Sequence, residues 1–186
     1  MTPHHFSINT LGKIFSIKSG GGFTLLEVIL AISFLTVAVG GSFGLLQQTL
    51  LTASLANSKL IASYLAQEGI EIVRNIRDNN WLNQRAVPGL SWKGGLDAGT
   101  YEVSYGDPSL ASLSSPDYAR NLYINDTDGF YNYSQVGTKT KFKRIITVNP
   151  VGDDTLDVGV KVEWQERIAG TQSIEIREYL YNWYGY

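Results

Sequence analysis

The sequence contains no cysteine, and that absence removes disulfides, thiol catalysis, acylation at cysteine and cysteine-based metal sites together. Histidine is nearly as scarce, with His4 and His5 its only copies. No proline occurs between Pro3 and Pro88, so nothing in that span forces a helix to stop. Charge is missing as well: from Phe23 to Ser58, Glu27 is the only charged residue. The net charge of −2 supplies no electrostatic reason to expect nucleic acid as a partner.

What is present divides the 186 residues into four stretches. Residues 1–22 carry Lys13 and Lys18 and no acid. Residues 23–46 are apolar apart from Glu27 and a few hydroxyls, and at ~1.5 Å per residue they reach across ~30 Å of hydrocarbon. Positive charge before this run and none just after it predicts an N-terminus inside and a C-terminus outside. Residues 47–80 continue the helical pattern as an amphipathic half. Leu51, Leu55, Ala62, Leu65, Ile72 and Ile76 form its apolar stripe, with Glu68, Glu71, Asn75 and Asp78 opposite. The spacing predicts one helix from about Thr24 to about Asn79, with Glu71–Arg74 and Arg74–Asp78 ion pairs on its surface.

Residues 81–186 read as an extracytoplasmic β domain. Alternation predicts strands at Thr100–Tyr105, Asn121–Ile124, Phe130–Tyr133, Phe142–Val148, Leu156–Glu166 and Ser173–Tyr181. Val158, Val160, Val162 and Trp164 share one face of the longest alternating segment, and Lys161, Glu163 and Gln165 share the other. Ile174 and Ile176 point inward on the last strand. The expected class is α+β: a long N-terminal helix whose amphipathic half covers one face of an antiparallel meander.

Glu27 is the anomaly. A lone carboxylate inside a membrane costs roughly 2.5–3.5 kcal/mol on insertion scales and usually has a specific partner. A removable secretory signal has a shorter apolar core. A plain uncleaved anchor accounts for the length and orientation, but for neither Glu27 nor the three glycines, Gly20–Gly22, before Phe-Thr-Leu-Leu-Glu.

The segment GGGFTLLEVILA, residues 20–31, resembles the processing and methylation site of type IV prepilins and type II secretion pseudopilins. The resemblance implies cleavage after Gly22 by a membrane prepilin peptidase, which would remove residues 1–22 together with both histidines. It implies N-methylation of Phe23 and a role for Glu27 in assembly. The implied partners are that peptidase and methylase, other pilin or pseudopilin subunits, an inner-membrane assembly platform, and membrane lipid before assembly. The implied location is the bacterial cytoplasmic membrane, then a filament at the cell surface or in the periplasm. No cofactor is implied, and the chain reads as a substrate of enzymes and not as one itself.

Two departures from the family pattern narrow the expectation. Many type IV pilins carry a proline about twenty residues into the mature helix; this chain has Gly40, Gly41 and Gly44 in that zone. Each costs a helix roughly 1 kcal/mol relative to alanine. The expectation is a soft spot that stretches in a filament, or small residues for close helix packing. Without cysteine, the C-terminal disulfide loop of major pilins is missing, and the strand LDVGVKVEWQER resembles minor subunits. The competing function is an uncleaved, membrane-anchored binding or adhesion domain that does not polymerise.

Three further segments have simpler readings. NDTDG (Asn125–Gly129) places oxygens as calcium loops do, with Asp126 and Asp128 the candidate ligands, but no acid follows at the closing position. A β-turn is the better reading. KTKFKR (Lys139–Arg144) reads as a solvated strand face, its lysines alternating. EYLYNWYGY offers an exposed adhesive or docking tail, but the better reading is that Tyr181 or Trp183 closes the core, with Tyr184–Tyr186 left unassigned.

Overall fold

The computed structural model describes residues 21–87 and 89–183, in two compact units, Met1–Thr49 and Leu50–Tyr186. The histidines, most of the expected leader and Tyr184–Tyr186 lie outside the described residues.

A single helix, α1, runs from Leu25 to Ala86. Its first part is solvent-exposed all round and is long and apolar enough to cross a membrane. The hydroxyls here are silenced locally. Ser33, Thr36, Ser42 and Thr49 each donate to the carbonyl four residues earlier, at 2.7–2.9 Å. That satisfies polar groups that lipid could not.

From Ser58 onward one face of α1 is buried: Ala62, Leu65, Ala66, Gly69, Ile70, Val73 and Ile76. The stripe therefore starts later than the periodicity suggests, with Leu51 exposed and Leu55 half-buried. The helix also ends later than Asn79. Trp81 is buried and stacks on Trp92, with centroids 6.3 Å apart. That packing carries α1 past the asparagines to a stop just before Pro88, where proline disfavours helix. One expected ion pair is replaced. Arg74 does meet Glu71, but its other side is taken by Glu178 on the sheet at 2.6 Å. Asp78 pairs instead with Arg77 at 2.8 Å.

The sheet has seven antiparallel strands: β1 (Gly99–Glu102), β2 (Ala111–Leu113), β3 (Asn121–Ile124), β4 (Tyr131–Asn132), β5 (Thr138–Pro150), β6 (Thr155–Glu166) and β7 (Gly170–Tyr181). Only β5, β6 and β7 form a meander. β1 and β3 share the other edge of β5, at Ile146–Val148 and Thr138–Lys143, each backed by a short strand. A one-turn 3-10 helix, Pro116–Tyr118, is capped by the Ser115 hydroxyl. The alternation on β6 reads true: Val158, Val160, Val162 and Trp164 are buried against the core. Ile174 and Ile176 are only half-buried, because β7 is an edge. The strand expected at Thr100–Tyr105 ends at Glu102. Past it the Val103 carbonyl turns to a side chain, and Tyr105 leaves the core to stack on Phe130 at 4.3 Å.

Two close approaches fix α1 on the sheet. A Cβ built on Gly69 would lie 2.8 Å from Val160 Cγ1 and 3.3 Å from Arg144 Cδ, so only glycine lets β5 and β6 come this near. Arg144 itself is fully buried. It donates to the Leu65 carbonyl at 3.2 Å, to Glu68 at 3.0 Å and to the Val103 carbonyl at 2.6 Å. Along Lys139–Arg144 the three alternating lysines stay exposed or half-buried, while Phe142 and Arg144 face the other way. The arginine is core, and Lys141 bridges Glu166 on β6 and Ser58 on α1 at 2.7 and 2.8 Å.

The Arg144 carbonyl accepts a hydrogen bond from the Tyr133 hydroxyl at 2.9 Å. Burial pushes that phenol up to about 12, outweighing the nearby guanidinium. A raised value in the folded state means a contribution to stability that is whole below pH ~10 and is lost as pH climbs towards 12. Tyr133→Phe is expected to cost about 1 kcal/mol at pH 8 and to flatten the fall in stability between pH 10 and 12. Urea unfolding at both ends of that range checks it. An unchanged alkaline slope would assign the loss to other groups.

Candidate processing and assembly site

The residues before α1 are the first part of the site. Residues 21–24 are non-helical and exposed, and Phe23 retains 78% of its accessible surface. A Cβ at Gly21 or Gly22 would meet nothing within 4 Å. The Gly22–Phe23 peptide therefore sits in open backbone, the form in which an enzyme can engage a chain. Thr24 then starts the helix: its hydroxyl accepts from the Glu27 amide at 3.2 Å, and its carbonyl accepts from the Val28 amide at 3.2 Å. Thr-Leu-Leu-Glu is the capping-box spacing, a signal in the residues themselves that the resemblance overshadowed.

Glu27 lies in the first turn, where the helix macrodipole favours negative charge. It is exposed, like every described residue of its unit. Glu27 thus has a local reason to be where it is, and its carboxylate still faces outward. Gly40, Gly41 and Gly44 lie inside unbroken helix, with open space around each.

The weaker candidates resolve into local structure. In Asn125–Gly129, Asp128 accepts from the Asn125 side chain and the Phe130 amide, both at 2.9 Å, while Asp126 accepts from Thr138 at 3.0 Å. The carboxylates close a turn instead of converging on a centre. Among the described residues, no group of three His, Asp or Glu side chains is placed to hold a metal ion. At the C-terminal end it is Leu180, 1% exposed, that closes the core. Tyr181 and Trp183 are exposed, although Trp183 rests edge-on against Trp81 at 4.8 Å. Successive β7 side chains alternate faces, so Leu180 faces in and Tyr181 out.

No family model, curated protein or solved structure matches this chain.

Proposed function

We propose that the chain is a filament subunit of the type IV pilin and type II secretion pseudopilin kind, a minor one, cut after Gly22, methylated at Phe23 and assembled through Glu27. The observation that carries the reading is a conjunction. An exposed, non-helical Gly22–Phe23 bond directly precedes a capped apolar helix whose first turn bears the only charge for dozens of residues. Cleavage creates an amine at Phe23. Left alone at a helix N-terminus, that cation opposes the macrodipole. In a filament it meets Glu27 of a neighbour already in place, and each removes the other's cost of sitting in an apolar core. The pair sets register more than it adds stability.

On this reading the subunit waits in the cytoplasmic membrane, C-terminus outside, for its peptidase and methylase, then for the assembly platform and other subunits. An uncleaved anchor carrying a binding domain is the competing reading, favoured to the extent that the macrodipole at the first turn gives the Glu27 carboxylate a purely local role. Intact-mass analysis separates the two. Processed protein is expected to lack residues 1–22 and to carry about 14 Da at Phe23, the mass of one added methyl group. A full-length N-terminus in a host with an active prepilin peptidase would sink the filament reading.

A further inference from the structure

The two borders of the sheet are built differently. On one, β2 and β4 are three and two residues long. Such blunted edges resist pairing with another chain. The other border is β7, twelve residues that pair with β6 alone among the described residues, in a register without a bulge. It is a full-length edge without proline, lysine or a bulge; Glu175 and Arg177 are the charges on its outward face, and Glu178 turns inward to Arg74.

Its outward face, Thr171, Ser173, Glu175, Arg177, Tyr179 and Tyr181, is exposed. Two copies of β7 can join antiparallel with matching faces only in registers where paired residue numbers have an even sum. Of the three central registers, the one centred on Glu175 sets that residue against its own copy, and the one centred on Arg177 does the same for the arginine. Like charges opposed in this way destabilise a pair. The register centred on Ile176 sets Glu175 against Arg177 twice, Ser173 against Tyr179, and Thr171 against Tyr181, using the strand end to end. In the single chain Glu175 and Arg177 bind each other at 2.9 Å and Arg177 also reaches Asp157 at 3.1 Å, so both charges already lie together on this face.

We infer that β7 is a self-pairing edge: a second copy of this chain adds its β7 antiparallel, in the register centred on Ile176. The two-fold axis stands normal to the sheet and so reverses the direction of α1 between copies. The contact therefore joins copies presented from opposite directions, not neighbours along one polar filament, and it does not depend on the reading proposed above.

The test uses the full chain in detergent, followed by sedimentation velocity across a concentration series. Glu175→Arg opposes two pairs of arginines and is expected to weaken dimerisation at least tenfold. Adding Arg177→Glu restores the opposite-charge pairs and is expected to bring it back to within about threefold of wild type. Because the chain lacks cysteine, register can be read directly. Ser173→Cys mixed with Tyr179→Cys is expected to form a disulfide-linked pair. Neither variant alone should do so, since like positions lie six residues, roughly 20 Å, apart. A monomer at every concentration overturns the inference. So does a dimer whose affinity is unchanged by Glu175→Arg, which would point to association through the apolar part of α1. Cross-linking within either single variant overturns it too.

Discussion

Arg144→Met is expected to lower the stability of the folded unit by about 3 kcal/mol, the scale for breaking a buried charged pair by removing one partner. Arg144 is fully buried and holds three acceptors at once: the Leu65 carbonyl, the Glu68 carboxylate and the Val103 carbonyl. Methionine keeps much of the length and apolar stem but donates nothing. The acceptors come from α1 and from the segment after β1, so the loss loosens helix, sheet and connection together. Glu68 retains some access to water, its side chain being 26% exposed, which keeps the cost at the low end. Thermal unfolding followed by near-ultraviolet circular dichroism should show a midpoint lower by roughly 6–12 °C for a unit of this size. Adding Glu68→Gln removes the stranded charge and should recover part of the loss. A shift under about 2 °C for Arg144→Met would show that the guanidinium is dispensable.

Glu27→Ala is expected to leave cleavage and methylation largely intact while reducing incorporation into filaments tenfold or more, equivalent to about 1.4 kcal/mol or above per subunit. The Thr24 hydroxyl accepts from the backbone amide of residue 27, not from its side chain, so alanine preserves the helix start beside the proposed cleavage and methylation site. What it removes is the carboxylate proposed to receive the Phe23 amine of an incoming neighbour. Without it, each new amine enters an apolar core unpaired. Glu27→Gln separates charge from shape: if pairing is the role, glutamine fails nearly as badly as alanine. Quantifying the variant in sheared filaments against the membrane pool measures the effect. Incorporation at the wild-type level would remove charge pairing from the account.

Much of the fold was legible because it depends on local pattern. The apolar stretch, the 3.6-residue stripe through Ala62, Leu65, Ile72 and Ile76, and the two-residue alternation on β6 each follow from near neighbours. Where expectation and structure part, a distant residue intervenes. The alternation that keeps Lys139, Lys141 and Lys143 outward turns Arg144 inward, but that a guanidinium stays buried there depends on Glu68 and two carbonyls, remote in sequence. Arg74 keeps Glu71 on its own helix, but Asp78 loses it to Glu178, which β7 brings within 2.6 Å. The end of α1 moved from Asn79 to Ala86 because Trp92, eleven residues after Trp81, packs on it.

The candidate site follows the same division in reverse. Gly22, Phe23, Thr24 and Glu27 are contiguous, so their spacing and the helix cap are properties of the chain alone. By itself the sequence determined a long helix, apolar then one-sided, with a single acid at its start, and a sheet with one buried face. The tertiary structure alone decided that β1 and β3 share an edge of β5, that Gly69 and Arg144 lock the helix down, and that β7 is left open. Those outcomes depend on which strands meet and how closely they approach, and short-range periodicity carries no information about either.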